Sequence, residues 1–246
     1  MNKPSNKLQP LPPLLAKIAK EELNENEDRL QDDIEALRSW MLKQPHLKGR
    51  TDSSFLVGFL RGSKFSLEKA KKKIDFYYTM RDLVPEIFRN RSAVDQRTHD
   101  IIQLGAALHF RKPISEDGPR VIMLRLGCFD LHKYTTYEII KAAVMIAELL
   151  LYEDFNVVIA GYVLIMDLAN ITPFQIFHFD AVLIKKLTIM ANKALPSRMK
   201  GFHFVNVLPS FEKFFNMVKS VINEKLQNRV GFRFLLILFL YKIFKF

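Results

Sequence analysis

A single cysteine, Cys128, stands in 246 residues. No disulfide can close within such a chain, and a reducing, cytosolic setting is the plain reading. An apolar leader is lacking as well: Met1–Pro13 is polar and proline-rich, with nothing like the apolar core of a secretory signal. The apolar run Phe234–Tyr241 is eight residues long, whereas spanning a bilayer takes about 20. No Walker loop, dinucleotide glycine fingerprint or GxSxG elbow occurs. The six histidines, His46, His99, His109, His132, His178 and His203, show neither HExxH nor zinc-finger spacing, and a metal site needs clustered ligands. Cys128 has no neighbour in sequence that would activate it. Asp167 ends an expected strand, where α/β enzymes often place catalytic groups, but one carboxylate without a visible partner reads as a turn or cap. The absences together point away from an enzyme and from a resident metal or cofactor.

What is present suits a globular chain of one or two domains: 49% hydrophobic and 26% charged residues. The net charge of +11 is unevenly spread. Residues 1–180 hold 25 Lys/Arg against 24 Asp/Glu, and residues 181–246 hold 12 against 2. A basic last quarter fits an anionic partner, membrane headgroups or nucleic acid, and equally a solubilising surface. Nucleic-acid binding has only the charge in its favour, since no helix-turn-helix, RNA-recognition or zinc module is visible.

Residues 1–26, with Pro4, Pro10, Pro12 and Pro13, read as a flexible tail. Leu30, Ile34, Leu37 and Met41 then form one helical stripe that stops before Pro45. A second helix is expected over 53–61, capped by Asp52, with Gly62 supplying a left-handed C-terminal residue. A third starts after Ser66, with Leu67, Ala70, Ile74 and Tyr77 or Tyr78 on one face, and ends before Pro85. The pattern changes beyond this bundle. The stretches 120–127 (RVIMLRLG), 161–168 (GYVLIMDL) and 201–207 (GFHFVNV) are short apolar strands. Helix-length segments, about 136–153 and 177–194, separate them. Strands alternating with helices imply parallel crossovers with both sheet faces covered.

Several segments carry a resemblance. FLVGFLRGSKFSLEKA at 55–70, followed by Tyr77-Tyr78 and Arg81, resembles the N-terminal helical region of CRAL-TRIO proteins. DGPRVIMLRLG at 117–127, with Asp130 and Lys133-Tyr-Thr135, is similar to that family's first strand and following turn. Met166-Asp-Leu168 resembles its second core strand. Lys185-Lys186, Leu195-Pro196, Arg198 and KGFHFVN at 200–206 resemble the approach to its third. The likeness covers about residues 30–230 and is nearest to the tocopherol-transfer and retinaldehyde-binding branch. It implies an α/β fold: an all-α N-terminal bundle followed by a lipid-binding cage on a mostly parallel sheet. The expected divisions are a tail 1–26, a helical domain 27–98, a lipid-binding domain 99–230 and an apolar tail 231–246.

The resemblance implies that the chain holds one hydrophobic small molecule in an internal cavity, transfers it between membranes, and works as a cytoplasmic monomer that meets membranes transiently. Over 209–222, Phe211, Phe214, Phe215 and Val218 share an arc of roughly 120° at about 100° per residue. In isolation that is an ordinary core-facing helix; at this position it matches the family's mobile lid. Arg198, Lys200 and Lys219 match basic positions that grip phosphoinositide headgroups. Ile140, Val144 and Ala147, with Leu187, Met190 and Leu195, are the expected cavity wall, though apolar stripes of this kind serve plain core equally well. The pattern departs after Val230, where the family continues with a histidine-containing strand and an LP-x-EYGG-like segment. Here GFRFLLILFLYKIFKF follows, so the C-terminal part of the cage is expected to be incomplete. Those residues can serve as a replacement strand, as an interfacial anchor with snorkelling lysines, or as an exposed chain end. The competing function is an adaptor that keeps the fold, has lost the ligand and binds a partner protein.

Overall fold

The computed structural model describes residues 8–179, 181–207, 215, 216, 227 and 230–233. Its helical part begins earlier than the sequence pattern suggests. Residues 13–23, read above as flexible tail, form helix α1 (Pro13–Leu23). Proline at the first turn starts it, because the missing N–H is not needed there. Leu15, Ala19 and Leu23, spaced four apart, are at most 1% exposed and pack on Ile159 and Ala160 further along the chain. That spacing was visible in the sequence and was masked by the prolines beside it.

Helices α2 (Glu27–Leu42), α3 (Ser53–Gly62) and α4 (Leu67–Leu83) form the expected bundle. Asn26 caps α2 by accepting the Asp28 N–H, and Asp52 caps α3 by accepting the Phe55 N–H at 3.1 Å. Ile34, Leu37 and Met41 are fully buried against Leu56, Leu60, Ala70 and Ile74. Each such side chain contributes about 1.5–3 kcal/mol of apolar burial. Helix α3 is apolar almost all round, as befits a helix packed on every side. Both Tyr77 and Tyr78 join its aromatic cluster, with ring centroids 5.9 and 6.4 Å from Phe55.

Gly62 does not adopt the expected left-handed conformation. The positive φ angles fall on Lys64 and Phe65, and Gly62 is the last residue of α3. Its glycine identity has another cause: a Cβ here would lie 2.1 Å from the Pro196 carbonyl oxygen. The glycine lets a loop of the sheet region touch the bundle.

Short helices α5 (Pro85–Phe88) and α6 (Gln96–Gln103) lead to a five-stranded sheet. Its strands are β1 (Ala107–His109), β2 (Arg120–Arg125), β3 (Tyr162–Asp167), β4 (Met199–Val205) and β5 (Val230–Arg233), in that spatial order. Edge strand β1 is antiparallel to β2, and the remaining pairings are parallel. Three-residue β1 has too little pattern to be seen in sequence. Residues 231–233, assigned above to a separate tail, belong to β5 and pair in parallel with β4; residues 234–246 lie outside the described residues.

The crossover from β2 to β3 runs through α7 (Thr136–Glu153), which opens with a Thr135–Glu138 capping box, and α8 (Phe155–Ile159). The crossover from β3 to β4 runs through α9 (Pro173–Phe177), α10 (Ala181–Ile189) and a π-helical turn, Met190–Ala194. The helix expected over 177–194 is α10 followed by the π-helical turn, with α9 ending at Phe177.

Polar contacts fasten bundle to sheet. Glu148 on α7 accepts hydrogen bonds from Arg81 and Arg91, both 2.6 Å, and from the Tyr77 hydroxyl at 3.0 Å. Burial and the nearby carboxylate push the Tyr77 hydroxyl well above its ordinary pKa, so it stays a donor. Within the helical part, Arg61 and Glu25 form a bidentate pair at 2.7 and 2.8 Å with side chains only 7% and 9% exposed.

Two outcomes are expected in urea unfolding. Gly62→Ala forces the Pro196 backbone away and should cost about 1–3 kcal/mol; an unchanged midpoint would mean the contact is looser than the geometry shows. Glu148→Ala leaves two part-buried guanidinium groups without their acceptor and should cost about 1–3 kcal/mol. Adding Arg81→Ala should recover part of that loss; strict additivity would show the network carries no coupling.

Candidate functional site

The two faces of the sheet are unlike. On one face Val121, Met123, Val163, Ile165 and Val205 are at most 7% exposed. Phe110 and Ile114, from the loop before β2, pack over them. On the other face the register puts Leu124, Met166 and Phe204 in one row, with Leu164 beside Phe202. Phe202 and Phe204 are buried, but Leu124, Leu164 and Met166 are only half-buried, although they lie on β2 and on central β3. Apolar side chains at the heart of a covered sheet are ordinarily sealed, as those on the first face are.

Around this second face stand Met80, Val84 and Ile87 of α4–α5, Ile140 and Val144 of α7, and Leu183 of α10. Half-buried Tyr137, Leu151, Ile176, Ile184 and Leu187 pack against the same cluster. Of the expected wall residues, Ile140, Val144, Met190 and Leu195 are therefore in this cluster and Leu187 packs on it. Ala147 is half-buried on α7 but lies outside the cluster. Residues of α4–α5 were not foreseen as wall, because nothing in a bundle helix's stripe says which neighbour it meets.

Of the expected lid, Phe215 is described: it is helical and half-buried, with its ring edge-on to Phe204 at 6.1 Å. It sits over the half-buried face. Phe211, Phe214 and Val218 lie outside the described residues, as does Lys219.

The two described basic positions come together at the start of β4. Arg198 donates to the Ile159 carbonyl, and its Nη1 lies 3.5 Å from a carboxylate oxygen of Glu22 on α1. Lys200 Nζ lies 3.8 Å from the same oxygen. The Arg198 Nε is buried without a hydrogen-bond partner. A few residues before Arg198, the Asn192 and Leu195 carbonyls accept from Lys73 of α4 at 3.2 and 3.0 Å. Burial lowers its pKa. Neither Glu22 nor Lys73 was singled out from the sequence. Each acts across more than a hundred residues of chain, and no local pattern marks such a pairing.

The remaining chemistry is structural. Asp167, 7% exposed, accepts from the Ala169 N–H at 3.0 Å and the Asn206 amide at 2.7 Å, tying the ends of β3 and β4. Cys128 donates to the Arg125 carbonyl, and burial pushes its thiol pKa up, which disfavours the nucleophilic thiolate. No group of three or more His, Cys, Asp or Glu residues that could hold a metal ion occurs among the described residues. No helix among them is long and apolar enough to cross a membrane. A cleft of about 420 Å³ opens elsewhere, where Val57, Gly58 and Arg61 of α3 meet Leu151, Phe155 and Val158. Of the half-buried face's cluster it shares Leu151.

Comparison with known proteins agrees with this layout. Residues 26–98 match the family described as Pinta-like, UBA domain, and residues 114–233 match the CRAL/TRIO domain. Human Clavesin-2 is 26% identical over 221 residues, which is 89% of this chain and 67% of that protein. Human Alpha-tocopherol transfer protein-like is 28% identical over 215 residues, 86% of this chain and 61% of that protein. Clavesin-1 of Xenopus laevis is 27% identical over 212 residues, 85% and 63% respectively. The chain thus spans between 61% and 67% of the length of these relatives. A solved structure titled "Crystal structure of Sfh5" aligns with a TM-score of 0.49 at 9% identity, over 92% of this chain and 82% of that one. The helical match, then the sheet match, follow one another along the chain as the bundle and the sheet do, and the chain belongs to the CRAL/TRIO family.

Proposed function

We propose that this protein is a carrier and not a catalyst: it holds a hydrophobic lipid of tocopherol, retinoid or similar class against the half-buried sheet face and exchanges it at membranes. The observation that carries the reading is the half-burial of Leu124, Leu164 and Met166 on a sheet whose other face is sealed. Apolar surface left unfilled amid apolar neighbours loses dispersion contacts, and an apolar guest restores them. Family membership supports the same reading. Phe215, over that face, belongs to the segment that would open to admit the guest. Phenylalanines of the same segment would then enter the bilayer interface, each worth about 1.5–3 kcal/mol when buried.

Docking is proposed to use Arg198 and Lys200, with Lys219 from the lid segment, against phosphoinositide headgroups. Cations near an anionic surface contribute about 1 kcal/mol each. Arginine can grip a phosphate with two parallel hydrogen bonds where lysine acts as a point charge. The protein would work as a cytoplasmic monomer that visits membranes.

Transfer of a fluorescent tocopherol analogue between vesicles tests the carrier reading. The parent protein should speed transfer. Leu164→Phe, which places bulk on the half-buried face, should abolish uptake while leaving the unfolding midpoint nearly unchanged. If the interior is filled, the same substitution overpacks it at a cost of about 1–3 kcal/mol and the parent takes up no probe; the adaptor reading would then stand. For docking, combined Arg198→Gln and Lys200→Gln should weaken binding to phosphatidylcholine vesicles containing phosphatidylinositol bisphosphate by roughly tenfold. Unchanged binding would remove these residues from the account.

A further inference from the structure

Helix α1 brings a carboxylate to the two cations named for docking. One oxygen of Glu22 lies 3.5 Å from Arg198 Nη1 and 3.8 Å from Lys200 Nζ, so its charge faces both. Glu22 comes from 176 residues earlier in the chain than Arg198. The last quarter of the sequence, with 12 Lys/Arg against 2 Asp/Glu, is poor in acids of its own.

The position is built in. Leu15, Ala19 and Leu23 seat α1 on Ile159 and Ala160, and the Ile159 carbonyl also accepts from Arg198. The turn that receives the helix therefore holds the guanidinium too. Gly161, at φ 92°, completes the arrangement: a Cβ there would lie 2.4 Å from the Arg198 carbonyl oxygen. Side-chain exposures of 50% for Glu22, 39% for Lys200 and 21% for Arg198 leave the corner open to water and to a headgroup. Pairs of this length and exposure are weak and exchangeable.

We propose that Glu22 is an internal competitor for phosphate, a carboxylate that holds the docking cations until a polyphosphorylated headgroup displaces it. This rests on the reading that Arg198 and Lys200 meet phosphate. Displacing Glu22 costs most to a singly charged headgroup, which has one charge with which to replace the carboxylate at both cations, and least to a headgroup whose several phosphates can take one cation while Glu22 keeps the other. A singly charged headgroup gains little more than it displaces, while a headgroup with several phosphate charges gains much more. Specificity here comes from raising the threshold against the weaker ligand. Helix α1, which precedes the stretch matched to the Pinta-like family at residues 26–98, would thus set which membranes the protein accepts.

The test uses the whole chain and three vesicle types: phosphatidylcholine alone, with phosphatidylserine, and with phosphatidylinositol bisphosphate at matched surface charge. Glu22→Gln should tighten binding to phosphatidylserine vesicles about two- to fivefold and to bisphosphate vesicles by less, so that the ratio between them falls. Glu21→Gln, which makes the same change in net charge at an adjacent exposed position, should leave that ratio unchanged. The gain should vanish when Arg198→Gln and Lys200→Gln are also present. Equal effects of Glu22→Gln and Glu21→Gln would overturn the proposal, as would a gain that persists without the two cations. If the cation variant binds more weakly than the parent but Glu22→Gln changes nothing, only the competitor fails. If the cation variant binds as the parent does, the docking reading fails as well.

Discussion

A parallel sheet with apolar residues on both faces must be covered on both faces, and here the two covers differ in completeness. Below, the loop carrying Phe110 and Ile114 seals Val121, Met123, Val163, Ile165 and Val205. Above, the cover is an arch whose parts come from α4–α5, α7, α10 and the segment of Phe215. Under this cover the side chains are met unevenly, and Leu124 on β2 is half-buried. Leu164 and Met166, in the middle, are half-buried, whereas Phe202 and Phe204 on β4 are sealed. The proposed carrier role rests on that unequal cover.

The arch stands because the bundle is fastened to the sheet at several separated points. Gly62 admits the Pro196 backbone. Lys73 holds the carbonyls at the end of the π-helical turn. Glu148 draws two arginines and a tyrosine onto α7. The loop between Ala194 and Arg198 is common to the first two contacts. Arg198 and the cluster around the half-buried face, through Ala194 and Leu195, are therefore joined by one loop. Helix α1 adds a further fastening at the same corner through Glu22.

Much of the architecture was legible in the residues. Ile34, Leu37 and Met41 announced their helix by spacing, Asp52 its cap, and the runs at 120–127, 161–168 and 201–207 three of the five strands. What was not legible depended on contacts distant in sequence. The role of Gly62 needs Pro196, and without that contact the glycine looked like a helix terminator. Helix α1 was obscured because prolines dominate a short segment whose stripe has only three members. For the candidate site, Ile140, Val144, Met190 and Leu195 were expected on the cavity wall, and they lie in the apolar cluster around the half-buried face. Leu124, Leu164 and Met166 could not be, since strands apolar on both faces give no sign of which face is left open. Glu22 and Lys73 were out of reach for the same reason: charge pairing across the fold follows from the fold.

Native mass spectrometry of the purified protein, followed by lipid extraction, tests the central claim most directly. The account predicts a folded protein carrying one bound lipid, or one that acquires a single stoichiometric adduct on incubation with a total lipid extract. A folded protein that shows only its bare mass under both conditions would contradict it, and the half-buried face would then be a feature of packing alone.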